Sequence, residues 1–263
     1  TGYMADIAFK GSSVYYGFQL NGSYEINDML SVAVGARYIS AMNQYEGSIS
    51  NIQLNPTFPP MFDGSFVSAV SFFQALSTVD PTAAAYIPMV QDVHVDAKQT
   101  GSAITPIIGV NVKPIENLNI GIKYELNTGL TLTNDTKVDG TGMFEDGVET
   151  PSDIPAILAI GAEYAVTPEF RAQLSVNSYF DKGADWGGTE DLIDNNYLEV
   201  AVGAEYDLSE AFLVSAGFLR AQTGVSDEYQ SDISHSLSSN TVGVGVSYKL
   251  TDAFSIDLGG LLT

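Results

Sequence analysis

The chain has 263 residues, a formal net charge of −22 and no cysteine. So acidic a chain lacks the basic patch that nucleic acid requires, and without cysteine it has no disulfide framework, thiolate chemistry or Cys-based metal site. Hydrophobic residues make up 45% and charged ones only 16%, yet no apolar run approaches the ~18 residues of a membrane-spanning helix.

The dispersed apolar residues fall into hairpins when taken in chain order. The sequence starts at Thr1-Gly2-Tyr3-Met4 with no signal peptide and stops at Leu261-Leu262-Thr263 within an apolar alternation. It is therefore expected to be part of a longer mature protein. A first strand carries Val14, Tyr16, Phe18 and Leu20; a short turn over 25–29 leads to Leu30, Val32, Val34 and Tyr38. A long connection is expected over 43–100. Ile108-Gly109-Val110, a turn at 114–116, and Leu118, Ile120, Ile122 and Tyr124 form the next hairpin. After a long connection over 134–152 come Leu158, Ile160, Ala162 and Tyr164, a turn at 165–169, and Phe170, Ala172, Leu174 and Val176. The pattern repeats twice more, with long connections at 181–196 and 222–240 and short turns at 207–210 and 250–253.

The phrase Gly-x-x-Tyr recurs in Gly35-Ala36-Arg37-Tyr38, Gly161-Ala162-Glu163-Tyr164, Gly203-Ala204-Glu205-Tyr206 and Gly245-Val246-Ser247-Tyr248. Such repetition of strand, polar turn and strand marks a β-hairpin unit. Even positions of these strands are almost all apolar or aromatic, while the odd positions are small, polar or charged. Alternate side chains of a strand face opposite sides, so one face is uniformly greasy. A soluble sandwich also alternates, but its polar face would be rich in Lys, Glu and Thr. Here that face carries Gly and Ala beside a few charges of both signs, which suits a confined lumen. Tyr24, Tyr38, Tyr124, Tyr164, Tyr206, Tyr248, Phe170, Phe212 and Phe254 are expected to form an aromatic belt near the short turns. Short turns on one side and long loops on the other complete an outer-membrane pattern of about ten antiparallel strands. The fold class expected is all-β, an antiparallel transmembrane β-barrel.

The segment Thr150-Pro151-Ser152-Asp153-Ile154-Pro155-Ala156-Ile157-Leu158, running on through Gly161-Ala162-Glu163-Tyr164 and Thr167-Pro168-Glu169-Phe170 to Tyr179-Phe180-Asp181 and Trp186, resembles the outer-membrane long-chain fatty acid and hydrocarbon transporters of the FadL/TodX type. Lys182 to Asp185 separate Asp181 from Trp186, wider than the family's spacing. The resemblance extends over 10–262 and is most specific from Pro151 onward. It implies a barrel of about fourteen strands plugged by an N-terminal hatch, with ligands passing from an external apolar groove to an internal site and leaving sideways or past the hatch. Residues 1–263 would then be one partial barrel domain. The hatch, its Asn-Pro-Asn start and a last strand ending in an aromatic residue are not in this chain.

Within the connection over 43–100, the residues Phe58, Met61, Phe62, Phe66, Val70, Phe72, Phe73 and Leu76 are candidate ligand contacts. Phe66, Val70, Phe73 and Leu76 follow helical spacing, with Asp63 or Ser65 as cap. An apolar extracellular loop either docks a greasy ligand or packs its own core; the resemblance favours docking. Arg37, Lys123 and Arg171 on the polar face either pair with lumen carboxylates or receive a ligand carboxylate. Catalysis is not expected: His235-Ser236 are adjacent on one strand and point opposite ways. No cofactor or metal is expected, since Glu145-Asp146 and Asp191 with Asp194 lack EF-hand spacing. The function expected is passive import of long-chain fatty acids or aromatic hydrocarbons across the bacterial outer membrane. The alternative is a structural or adhesive barrel with acidic partner-binding loops. Membrane lipid and lipopolysaccharide are expected partners, nucleic acid is not, and the protein is expected to be a monomer.

Overall fold

A computed structural model describes residues 2–58, 61–231 and 235–263; the side chain of Phe58 lies outside the described set. In chain order the elements are β1 (Tyr3–Asn27), β2 (Leu30–Leu54), β3 (Thr57–Phe58), β4 (Phe62–Asp63), β5 (Val67–Ser68) and α1 (Ala69–Ser77). There follow β6 (Val93–Ile115), β7 (Leu118–Glu125), β8 (Thr131–Asp139), β9 (Glu149–Pro151), β10 (Ile157–Ala165) and β11 (Phe170–Tyr179). The last are β12 (Tyr197–Asp207), β13 (Phe212–Gln222), β14 (Ser239–Thr251) and β15 (Phe254–Leu262). Among the described residues, 13 strands form one sheet, and the hydrogen-bonded path β1-β2-β6-β7-β10-β11-β12-β13-β14-β15 runs through ten of them. This is the all-β, antiparallel architecture expected from the alternation.

The chain divides into two compact units: Thr1–Tyr16, Ser40–Gly101 and Leu132–Glu149 make the first; Gly17–Ile39, Ser102–Thr131 and Thr150–Thr263 make the second.

The second unit holds the hairpins. Register keeps like faces together: Ile160 lies opposite Ile122 and Val176, and Val202 opposite Leu174 and Phe218. Even-numbered side chains of this face are exposed although apolar: Val202 52%, Val244 62% and Leu258 67%. A face this large and greasy on many neighbouring strands is stable only against lipid. Strands β10 to β13 are 9 to 11 residues long, about the length that crosses a bilayer at a tilt. The repeated turns have a local cause. Thr167 Oγ1 accepts the Phe170 N–H at 3.1 Å, and Ser209 Oγ accepts the Phe212 N–H at 3.2 Å. A hydroxyl that mimics a backbone acceptor closes such a turn.

Three expectations are corrected. The connection over 43–100 is shorter, because β2 runs to Leu54 and β6 starts at Val93; polar residues do not stop a strand whose neighbours supply the ladder. In the same way β8 runs to Asp139 and β9 starts at Glu149. Tyr124 lies outside the belt near the short turns. It is opposite Leu158, while Tyr164 is opposite Leu118, so six residues, about 20 Å of strand, separate the two tyrosines. Tyr38, eight residues beyond the start of β2, is likewise far from the turn.

The strand break at residues 126–130 and 152–156 was not signalled by the alternation. There β7 passes to β8 and β9 to β10, joined by the isolated bridge Thr128–Ile154. Asp153 takes over where the ladder stops. Its carboxylate accepts the Leu130 N–H at 3.0 Å, the Asn127 side-chain amide at 2.7 Å and the Asp185 N–H at 3.2 Å. Leu130 is fully buried, as are Thr105 and Thr128, whose hydroxyls bond to each other.

Candidate functional site

The apolar loop of the first unit is anchored before it displays anything. β5 pairs back on β2, with Leu54 opposite Val67, and β3 and β4 make a small hairpin. α1 then starts at Ala69 with Ser68 as its N-cap, accepting from the Ser71 N–H. Neither Asp63 nor Ser65 caps the helix, so that expectation is corrected. Asp63 instead accepts the Ser65 N–H at 2.9 Å, which holds its carboxyl below the usual range and makes a tight turn ahead of the helix. Phe66 therefore precedes α1 rather than belonging to it.

Inside this loop the aromatic rings form a continuous chain. Phe62 meets Phe72 edge-on at 5.0 Å, Phe72 meets Phe73 edge-on at 5.0 Å, and Phe73 stacks on Tyr86 at 5.3 Å. These are the separations at which rings attract beyond their buried area. Val70 and Leu76 are half-buried, while Met61 and Phe66 are exposed. The structure thus brings Phe62, Phe72 and Phe73 together and leaves Met61 and Phe66 at the surface. Tyr86 was missed, because it sits at the end of a short 3-10 helix, Pro81–Tyr86, with no helical spacing to tie it to α1.

The inner face of the first unit is polar but uncharged. Ser13 donates to Asn43, Asn43 to Gln99, and Gln99 to Asn134, at 2.7, 3.3 and 3.0 Å. Asn43 and Asn134 are buried, and chaining amides across four strands satisfies both.

The inner face of the second unit carries charge. Arg37 Nη1 and Lys123 Nζ both reach the Glu125 carboxylate at 2.7 Å, and Glu125 is 3% exposed. Gln19 receives two further Arg37 hydrogen bonds. Arg171 pairs with Glu205 at 3.1 Å and Asp207 at 2.9 Å. Glu199 accepts from Asn177 and from the hydroxyls of Tyr179 and Tyr197, and Glu163 accepts from Gln173. Lys123 borders a groove of about 550 Å³ whose other walls include Gln19, Ala33, Gly109, Gly121 and Gly161. Gly121 lies opposite Gly161. A Cβ at either would meet no atom closer than 3.9 Å, so neither glycine is imposed by the surrounding packing. Their missing side chains leave the groove wide.

The resembling segment is also drawn together in space. The Trp186 indole N–H donates to the Asp153 carbonyl at 2.7 Å, tying the loop after β11 to the residues before β10. The family described as outer membrane protein transport protein (OMPP1/FadL/TodX) matches residues 5–261 of this chain. The chain belongs to the FadL/TodX family. FadL/TodX proteins are outer-membrane transporters, not enzymes, and this chain is an outer-membrane protein.

Solved FadL/TodX-type structures share the fold. The toluene transporter TbuX of Ralstonia pickettii superposes with a TM-score of 0.58 at 13% identity, over 95% of this chain and 62% of that one. A FadL homologue of Pseudomonas aeruginosa gives 0.60 at 11% identity, over 95% and 59%. The toluene transporter TodX of Pseudomonas putida gives 0.52 at 14% identity, over 95% and 63%. This chain therefore spans less than two-thirds of the length of each of these structures. No curated protein matches it by sequence.

Proposed function

We propose that residues 1–263 are part of one outer-membrane barrel that passively imports hydrophobic small molecules. The aromatic chain Phe62-Phe72-Phe73-Tyr86, with Met61 and Phe66 exposed in the same loop, carries this reading. A loop that only packed on itself would bury its large apolar side chains. This one leaves Met61, Phe66, Val79, Met89 and the ring of Tyr86 exposed, with Val70 and Leu76 half-buried. Phe58, next to this cluster in sequence, belongs to the same proposed contact set. An apolar ligand would be held by area removed from water, about 25 cal/mol per Å².

The charges of the second unit favour an uncharged aromatic hydrocarbon as the ligand. Arg37, Lys123 and Arg171 each already face a protein carboxylate, while among the described residues Glu163 and Glu199 have only neutral hydrogen-bond partners. A fatty-acid carboxylate entering this face would meet more carboxylates than free cations. The toluene transporters among the structural neighbours agree with that choice. A second reading, fatty-acid import with Arg37, Lys123 or Arg171 receiving the carboxylate, draws on Lys123 at the groove wall.

Uptake of radiolabelled toluene and oleate into cells with and without the gene separates these readings. Faster toluene uptake that is lost in Phe66→Asp supports the hydrocarbon reading. Faster oleate uptake alone, reduced in Lys123→Gln, supports the second. Equal uptake of both ligands by both strains sinks import of these substrates and leaves the adhesive barrel.

A further inference from the structure

The outward face of the first unit carries charge, unlike its inner face. In β2 and β6 the buried inner positions are odd-numbered (Ala41, Asn43, Ala97), in β8 they are even (Leu132, Asn134), and in β1 the odd-numbered Ser13 points the same way, donating to Asn43. The outward set is therefore Lys10, Ser12, Gln44, Glu46, Asp96, Lys98, Asp135 and Lys137. Lys98 lies opposite Asp135 across the β6–β8 ladder. These side chains line a polar cavity of about 420 Å³.

The chain has only ten Lys and Arg against 32 Asp and Glu, and three of the ten share this cavity. Glu46, Asp96 and Asp135 stand among them. Lys137 donates to Asp96 at 2.9 Å, which occupies that carboxylate. Lys10 and Lys98 form no ion pair among the described residues. Along β1 the same outward face passes from Lys10 and Ser12 to Val14 and the exposed Tyr16. Lys10 thus lies on the side of β1 that faces lipid farther along the strand, beyond the aromatic residue and away from the short turn. The fourth outward strand cation, Arg220 in the second unit, shows the same order on its own strand. It follows the exposed Phe218 and lies farther from the turn before β13. The other cations are on inner strand positions, except Lys113 beside a short turn and Lys182 in a loop.

We propose that the cavity of Lys10, Lys98 and Lys137 binds the phosphorylated headgroup of a glycolipid in the outer leaflet of the outer membrane. An outward face that continues a lipid-facing stripe adjoins headgroups rather than a soluble protein. Basic side chains near such a surface are each worth about 1 kcal/mol toward an anionic lipid. Amines free of ion pairs can meet phosphate without first losing a partner.

The test is lipid retention by the detergent-solubilised protein, read by native mass spectrometry. The probes are bisphosphorylated lipid A, dephosphorylated lipid A and inorganic phosphate. Bisphosphorylated lipid A is retained and the dephosphorylated form is not; inorganic phosphate does not displace it. Each Lys→Gln change weakens retention roughly five-fold, and the triple change K10Q/K98Q/K137Q about a hundredfold. The triple Lys→Arg variant keeps binding, which separates lost charge from misfolding, and Lys113→Gln in the turn region has no effect. Equal retention of the two lipids, full retention by the triple Gln variant, or displacement by inorganic phosphate overturns the proposal. Ligand uptake plays no part in this readout, so it stands or falls apart from the import reading.

Discussion

Glu125 is the residue on which most depends within the second unit's inner face. It is nearly fully buried and holds two cations at 2.7 Å. Removing it leaves Arg37 and Lys123 without their anion, and breaking a buried pair costs about 3–5 kcal/mol. Lys123 is half-exposed, so solvent screens part of that loss and the lower end of the range applies. Glu125→Ala should therefore unfold at clearly lower temperature in a heat-dependent gel-mobility assay, and Glu125→Gln should fall between it and the parent. Asp181, in the loop after β11, behaves in the opposite sense to an ion-paired carboxylate. Burial raises its pKa, against one opposing hydrogen bond from the Tyr197 N–H. The folded loop therefore holds this proton more tightly than the unfolded chain does. Its contribution to stability is present at low pH and is lost as pH rises from the ordinary aspartate range through the raised folded value. Hydrogen exchange over residues 181–196 should become faster with pH across that window, beyond the intrinsic rate change, and Asp181→Asn should abolish the extra dependence. An Asp181→Asn protein with the same excess slope would show that the loop responds to another group.

At the scale of elements, the hairpins were legible and the interruptions were not. Alternation and the turn hydroxyls Thr167 and Ser209 are local, so the sequence displays them directly. The break between β7 and β8 is not local. It depends on Asp153 reaching Leu130, Asn127 and Asp185, which lie up to 32 residues away in the chain. The helix was foreseen from its apolar spacing, but its start was placed too early because Asp63 and Ser65 also have capping side chains. What separates them from Ser68 is the β5 pairing with β2, which delays the helix. The candidate site was legible only as a list of apolar residues. Which rings touch, and that Tyr86 joins them, follows from the fold of the whole loop. Asp153→Ala should leave the buried Leu130 N–H without an acceptor and cost about 1–3 kcal/mol. Hydrogen exchange at the Leu130 amide is the direct measurement, and unchanged protection there would mean the break is sealed by something else.

Across the whole molecule, the two faces make opposite predictions for neighbouring residues. Leu174 is 47% exposed on the lipid-facing side, and Ser175 next to it lines the groove. Leu174→Arg places a charge in lipid and should cost about 2–4 kcal/mol near the bilayer middle, seen as poor membrane assembly. Ser175→Arg should assemble normally and instead narrow the groove and slow uptake. If both variants assembled equally well, the assignment of faces would be wrong.

The alternation also bears on how such a chain reaches its membrane. Every second residue of a strand such as β12 or β14 is small or polar, so no segment presents a continuous greasy stretch. Among the described residues no helix is long and apolar enough to cross a bilayer. A secretion channel that releases long apolar segments sideways would find nothing here to release. The wall becomes hydrophobic only when the strands pair and bring their even-numbered side chains onto one surface. Lipid affinity is thus withheld during passage through the inner membrane and appears only on folding.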